Sequence, residues 1–228
     1  MDDKSIFQGL PQPMTIIDLS HFISGSMPVF PGMDQPRIAD AFTIAEHGFA
    51  EKSFHLYSHV GTHIDAPGHI LPGAATLDEL AVDRFLGAGL VLDVSAVKGG
   101  KIDIADLEPY KENLNGIEFA LLHSGWARHW GEDRYFSSYP VLSLEAARWL
   151  AAFRLKGFGV DMISVDEVES TSVPVHKVFF AKNTIIIENL DNLGALIGKE
   201  FVFSCLPLKI AAGDGSPVRA VAIVDSAK

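Results

Sequence analysis

His59-Val60-Gly61-Thr62-His63-Ile64-Asp65-Ala66-Pro67-Gly68-His69 places three histidines and one aspartate within eleven residues. Packing gives no reason for that density of imidazole. His and Asp are the usual nitrogen and oxygen donors to zinc, manganese or iron. Gly61, Pro67 and Gly68 suit a backbone that turns sharply to aim several side chains at one point. If the middle of the stretch is extended, His63 and Asp65 share a face, because side chains two apart in a strand point the same way. A kink at Gly61 would then bring His59 alongside them. The spacing predicts a metal or catalytic site whose remaining ligands come from elsewhere in the chain.

Working outward, the chain has 228 residues, 48% of them hydrophobic and 21% charged, which suits a globular protein with a sizeable core. Its 18 basic and 29 acidic side chains leave a net charge of −11. That balance argues against nucleic acid or an anionic membrane as partner, since both call for basic patches. The single cysteine, Cys205, excludes an internal disulfide and fits a reducing compartment. It follows Phe201-Val202-Phe203-Ser204 and reads as a core residue. Met1-Asp2-Asp3-Lys4 lacks the basic and apolar regions of a signal peptide. No apolar run approaches the ~18 residues of a membrane span, so a cytoplasmic location is expected.

Residues 1–13 read as an N-terminal arm and residues 14–228 as a single mixed α/β domain. Thr15 to Leu19 predicts a buried strand, and Ser20 to Pro36, broken by Pro28, Pro31, Gly32 and Pro36, predicts a loop. Ser53 to Ser58 predicts a strand feeding the His-rich stretch. Thr76-Leu77-Asp78-Glu79 reads as a capping box. Gly89 to Val94 and Ile117 to His123 are continuous apolar runs, hence strands covered on both faces. Helices are expected over Asp103–Asn113, over Ser143–Arg154 with Ser143 as cap, and after Pro174. Further strands are expected at Gly159–Ile163, Thr184–Glu188, Val202–Ile210 and Ala220–Val224, the last two joined by Gly213-Asp214-Gly215-Ser216-Pro217.

Two later residues carry chemistry. Glu188 ends the apolar strand Ile185-Ile186-Ile187, where a carboxylate must be either solvent-exposed or paired. His176 lies between Val173-Pro174-Val175 and Val178-Phe179-Phe180, a setting that suits a hydrogen-bonded core histidine as well as a ligand.

His59-x-Gly61-Thr62-His63-x-Asp65-x-Pro67-x-His69 resembles the signature of the cyclase family of metal-dependent hydrolases, which includes bacterial kynurenine formamidase and isatin hydrolase. The likeness continues in Asp18-Leu19-Ser20-His21, Pro28-Val29-Phe30-Pro31-Gly32, Ser124-Gly125-Trp126, Gly159-Val160-Asp161-x-x-Ser164-Val165-Asp166, His176 with Glu188-Asn189-Leu190, and Ser216-Pro217-Val218-Arg219-Ala220. The resemblance implies a swivelling β/β/α fold, a homodimer or homotetramer, and one or two zinc or manganese ions per protomer. It implies that His59, His63 and Asp65 bind one metal, that Asp65 and Glu188 bridge to a second held also by His176, and that His69 is the general acid/base. The implied reaction is hydrolysis of an amide, formamide, lactam or ester of a small, aromatic molecule. Phe30, His123 and Ser216 are candidate substrate contacts. Phe30 stands where relatives often carry Trp, and His123-Ser124-Gly125 where they often read Arg-Thr-Gly. Both departures loosen the tie to N-formylkynurenine.

Two other classes compete. His63, Asp65 and His176 also fit the two-His-one-carboxylate triad of non-haem iron oxygenases. That reading leaves His59, His69 and Glu188 without roles. A non-catalytic metal- or ligand-binding module of the same fold is the other, against which the presence of His69 speaks.

Overall fold

The computed structural model describes residues 14–97 and 100–225. The arm expected at residues 1–13 lies outside them. In chain order the elements are β1 (Met14–Asp18), β2 (Arg37–Phe42), α1 (Ile44–His47), β3 (Glu51–His55), β4 (His63–Asp65), β5 (Leu86–Asp93), β6 (Lys101–Ile102), α2 (Ile104–Leu107), β7 (Phe119–His123), β8 (Val141–Leu142), α3 (Leu144–Ala151), β9 (Gly157–Val160), α4 (Pro174–Phe180), β10 (Ile185–Glu188), β11 (Phe201–Ser204), β12 (Gly215–Pro217) and β13 (Val221–Asp225). Nine strands form one mixed sheet in the order β1-β13-β11-β5-β7-β9-β10-β4-β12. The apolar runs β5, β7, β9 and β10 pair in parallel at its centre. Antiparallel strands complete it on either side. The architecture is the mixed α/β class expected.

Alternation along the central strands builds two cores. Ala120, Leu122 and Ile186 face one cluster with Ala147 and Leu150 of α3 and Phe179 of α4. Phe119, Leu121, Ile185 and Ile187 face the other, with Phe203, Cys205 and Ala222. The side-chain period of two therefore fixes which residues of β10 can meet α4: Ile186, and beyond it Glu188.

Several boundaries differ from expectation. β1 is an edge strand with a single neighbour, and Ile16 is 63% exposed rather than buried. The strand before the His-rich stretch ends at His55 and pairs with β2 alone, in an exposed two-stranded ribbon. α2 stops at Leu107 and continues as a single 3-10 turn carrying Pro109, which cannot donate an amide to an α-helical bond. α3 ends at Ala151, and Arg154 adopts a left-handed φ of 57° that no helix tolerates. Both caps form: Ser143 accepts from the Ala146 amide, and Thr76 and Glu79 make the capping box. No helix among the described residues is long and apolar enough to cross a membrane.

Candidate metal centre

β4 is only three residues long, His63-Ile64-Asp65, and lies between β10 and β12. Ile64 enters the core with Ile187, so His63 and Asp65 point to the opposite face. There the register sets Glu188 directly across from His63. Directly opposed residues on one face have Cβ atoms about 4.5–5.5 Å apart. Pairing of strands distant in sequence therefore assembles half of the site. Gly61 takes a positive φ of 62°, and the chain before it turns so that His59 reaches back to Asp65.

His176 arrives from α4 on the same face. Pro174 opens this helix, and Val173 before it holds a φ of 40°, costly for a β-branched residue. Asp166 anchors the turn: its carboxylate accepts from the Val175 amide at 2.9 Å and the His176 amide at 3.1 Å. It also accepts from His176 Nδ1 at 2.7 Å. That bond fixes the tautomer and leaves Nε2 free toward Glu188 Oε1 at 3.4 Å and Asp65 Oδ2 at 3.8 Å. His63 is oriented in the same way, with Nδ1 donating to the Gly61 carbonyl at 2.9 Å and Nε2 facing Asp65 at 3.3 Å and Glu188 at 3.4 Å. His59 lies between carboxylates, Nδ1 at 2.6 Å from Asp65 and Nε2 at 2.9 Å from Asp214. Glu188 also accepts from the Val165 amide at 3.0 Å.

Asp65, His63, His176 and Glu188 are each no more than 5% exposed. Glu188 is thus buried and paired, and His176 turns toward the carboxylates. Burial by itself would raise Asp65 and lower the histidines. The opposed charges win: His59 and His63 hold Asp65 well below the ordinary carboxylate range, and Asp65 with Glu188 lifts His63 to about 10. His59 and His176 are raised for the same reason. A divalent ion held by these residues would displace protons from the same nitrogens. His69 differs. Burial, with His59 and His176 nearby, holds it below its ordinary value against the pull of Asp65, which favours the neutral imidazole. Its ring lies 3.9 Å from that of His59, and its Nδ1 is 3.6 Å from Asp214.

Donor atoms of His59, His63 and Asp65 lie within 4.8 Å of one another, as do those of Asp65, His176 and Glu188. A third group joins His59, His69 and Asp214. Nitrogen and oxygen donors without sulfur, converging on one buried carboxylate, fit zinc, manganese or iron(II). The cluster floors a cavity of ≈ 280 Å³ walled by Phe30, Met33, Ile70, Ile163 and Val173.

All five expected ligands, His69 and Phe30 therefore come together. His123 and Ser216 do not reach the cavity. His123 continues the Phe119–Leu121 face of β7, on the far side of the sheet, with its Nδ1 3.3 Å from Asp161. Ser216 pairs with Ile64 and so shares its face; its hydroxyl donates to the Pro217 carbonyl and accepts from the Leu208 amide. Asp214 and Asp166 are part of the site without being among the candidate site residues read from the sequence. Asp214 sits in a Gly-Asp-Gly turn indistinguishable from a plain connector, and Asp166 closes the Gly159–Asp166 segment that resembles the family's middle motif, with nothing in its spacing to give it a role.

A kynurenine formamidase of Bacillus cytotoxicus is 31% identical over 163 residues, covering 72% of this chain and 75% of that protein. Isatin hydrolase A from Labrenzia aggregata, solved bound to benzyl benzoate, matches with a TM-score of 0.83 at 23% identity, over 93% of this chain and 94% of its own; it shows the shared fold. A structure described as a potential metal-dependent hydrolase with cyclase activity matches with a TM-score of 0.76 at 26% identity, over 92% of this chain and 98% of its own. The family model Cyclase matches residues 17–167, a span that holds the whole His-rich stretch, and the chain belongs to the cyclase family.

Proposed function

We propose that this protein is a metal-dependent hydrolase that uses water to cleave a carbon–nitrogen bond other than a peptide bond, or an ester, in a small aromatic molecule. One observation carries the reading: two donor triads share the buried Asp65 at the floor of an apolar cavity, with the imidazole of His69 beside them. The kynurenine formamidase and isatin hydrolase relatives support it.

His59, His63 and Asp65 would hold one zinc or manganese ion, and Asp65, His176 and Glu188 a second. A bound divalent ion supplies acidified water and a Lewis acid for the carbonyl oxygen. The chain's own residues do the rest. His69 accepts the proton of the attacking water at an imidazole nitrogen and returns it to the leaving nitrogen or oxygen. Asp214, 3.6 Å from that ring, stabilises the transient imidazolium. Asp166 and the Gly61 carbonyl hold His176 and His63 in the tautomers that present Nε2 to the cluster. Phe30 and Met33 line the mouth and exclude bulk water from the ring-bearing part of the substrate. A homodimer or homotetramer belongs to the same reading.

The oxygenase alternative uses only His63, Asp65 and His176, whereas Glu188 and His59 stand equally close to Asp65 or its partners. The test is elemental analysis of protein purified without chelator, paired with hydrolysis of an aryl formamide and of isatin. One or two zinc or manganese ions with turnover of either compound is the expected result. Protein that takes up no metal even after reconstitution overturns it.

A further inference from the structure

We infer, resting on the hydrolase reading, that the cavity takes an aromatic acyl compound carrying no carboxylate, and that Glu167 at its mouth is the residue that turns anionic compounds away.

The cavity is chemically divided. Its floor holds the imidazoles and the carboxylates Asp65 and Glu188, so the scissile group goes there. Its walls are Phe30, Met33, Ile70 and Val173, flat or polarisable apolar surfaces suited to an aryl ring. Glu167 and Ser170 complete the rim. Among the described residues lining the cavity none is Lys or Arg. A substrate carboxylate remote from the scissile bond would thus meet either an apolar wall, where it loses hydration without a partner, or Glu167, a like charge.

Glu167 is built into the rim rather than swept over it. Its backbone carbonyl accepts from the Ser170 amide at 2.9 Å, closing the turn Glu167–Ser170. The preceding residue, Asp166, is pinned to the first turn of α4 by three hydrogen bonds. The Glu167 side chain is exposed, and Glu167 also borders two neighbouring clefts, one against Val141 and Leu142 and one against Tyr139. Glu169 borders the second. The approach to the cavity is therefore acidic. Among the described residues that line these two clefts the one cation is Lys101, in the first of them and not in the cavity.

The test uses two hydroxamic acids on metal-loaded protein, which share the metal-binding head and differ only at the far end of the ring: 4-carboxybenzohydroxamate and 4-carbamoylbenzohydroxamate. The carbamoyl compound should bind about tenfold tighter, from like-charge repulsion across several ångströms of partly hydrated space together with carboxylate desolvation. The gap should narrow as ionic strength rises. Glu167→Gln should shrink the ratio, and Glu167→Lys should invert it. Hydrolysis of 4-formamidobenzamide against 4-formamidobenzoate should follow the same order, with the difference in KM rather than kcat. Equal or tighter binding of the carboxy compound overturns the inference while leaving the hydrolase reading intact. A ratio that neither Glu167 variant moves removes Glu167 from it. Protein that binds no metal and neither hydroxamate overturns the hydrolase reading itself, and this inference with it.

Discussion

Gly215→Ala is the sharpest perturbation the geometry offers, because it replaces no proposed ligand yet should displace one. A Cβ on Gly215 would stand 2.4 Å from His59 Cε1, 2.7 Å from Nε2 and 2.9 Å from Nδ1. Non-bonded carbons rest at about 3.5–4.0 Å, so the ring must move by roughly 1 Å or more. It cannot do so by small adjustment, since the imidazole is rigid and each nitrogen is held against a carboxylate, Asp65 at 2.6 Å and Asp214 at 2.9 Å. His59 has to swing out as a unit and leave Asp65. Removing a partner that merely orients a ligand costs about 10–100-fold in metal affinity; displacing a ligand should cost about 100-fold or more. The metal-free protein should also lose about 1–3 kcal/mol from overpacking. Gly89→Ala is the matched control. Its Cβ would meet Phe201 Cε2 at 2.2 Å across the β5–β11 pair, far from the cavity. It should destabilise the fold by a similar amount and leave the metal affinity of folded protein unchanged. Competitive chelator titration gives the affinities and denaturant unfolding gives the stabilities. A Gly215→Ala protein that binds metal as tightly as the wild type would refute the placement of His59 in the centre.

Three further outcomes are expected. His69→Ala should keep its metal and lose about 10²–10⁴ in kcat; retained turnover would end the acid/base assignment, and lost metal would make His69 a ligand through the group it forms with His59 and Asp214. Asp166→Asn leaves the His176 ring facing an amide in place of a carboxylate, and metal affinity should fall about 10–100-fold, read by the same chelator titration. Metal-free protein should become less stable as pH rises from about 6.5 toward 10. His63 is raised to about 10 in the folded state, so its contribution is full below the unfolded value of about 6.5 and is lost as pH climbs through the folded one. Metal-loaded protein should show the opposite trend over the lower part of that range, because protons compete with the ion for the same nitrogens; parallel pH curves with and without metal would contradict both statements.

Much of this centre is legible in the residues alone, and the reason is local. His59, His63, Asp65 and His69 lie within eleven positions, and the strand period that puts His63 and Asp65 on one face needs no tertiary information. The central strands are legible for a similar reason: uninterrupted apolar runs are tolerated only where both faces are covered, and β5, β7 and β10 are. The ends of elements are less so. α2 and α3 both stop short of their predicted limits, at a proline turn and at a left-handed Arg154, where a few tenths of a kcal/mol in propensity are decided by what the next segment must reach.

His123 and Ser216 show what strand register decides and composition does not. Both stand in segments that resemble the family's motifs, and both end on the face of the sheet opposite the cluster. A shift of one residue exchanges the two faces of a strand, so a motif can name the segment and still leave open which of its residues looks into the site. In β12 that choice falls on Gly215 and Pro217, opposite Asp65 and His63. The residue closest to the chemistry there is the one with no side chain. Its contribution is the space that His59 fills, and Asp214 beside it supplies the carboxylate that closes on the far nitrogen of the same ring. A turn that reads in sequence as a bare Gly-Asp-Gly connector is, in the folded chain, the wall against which one metal ligand is set.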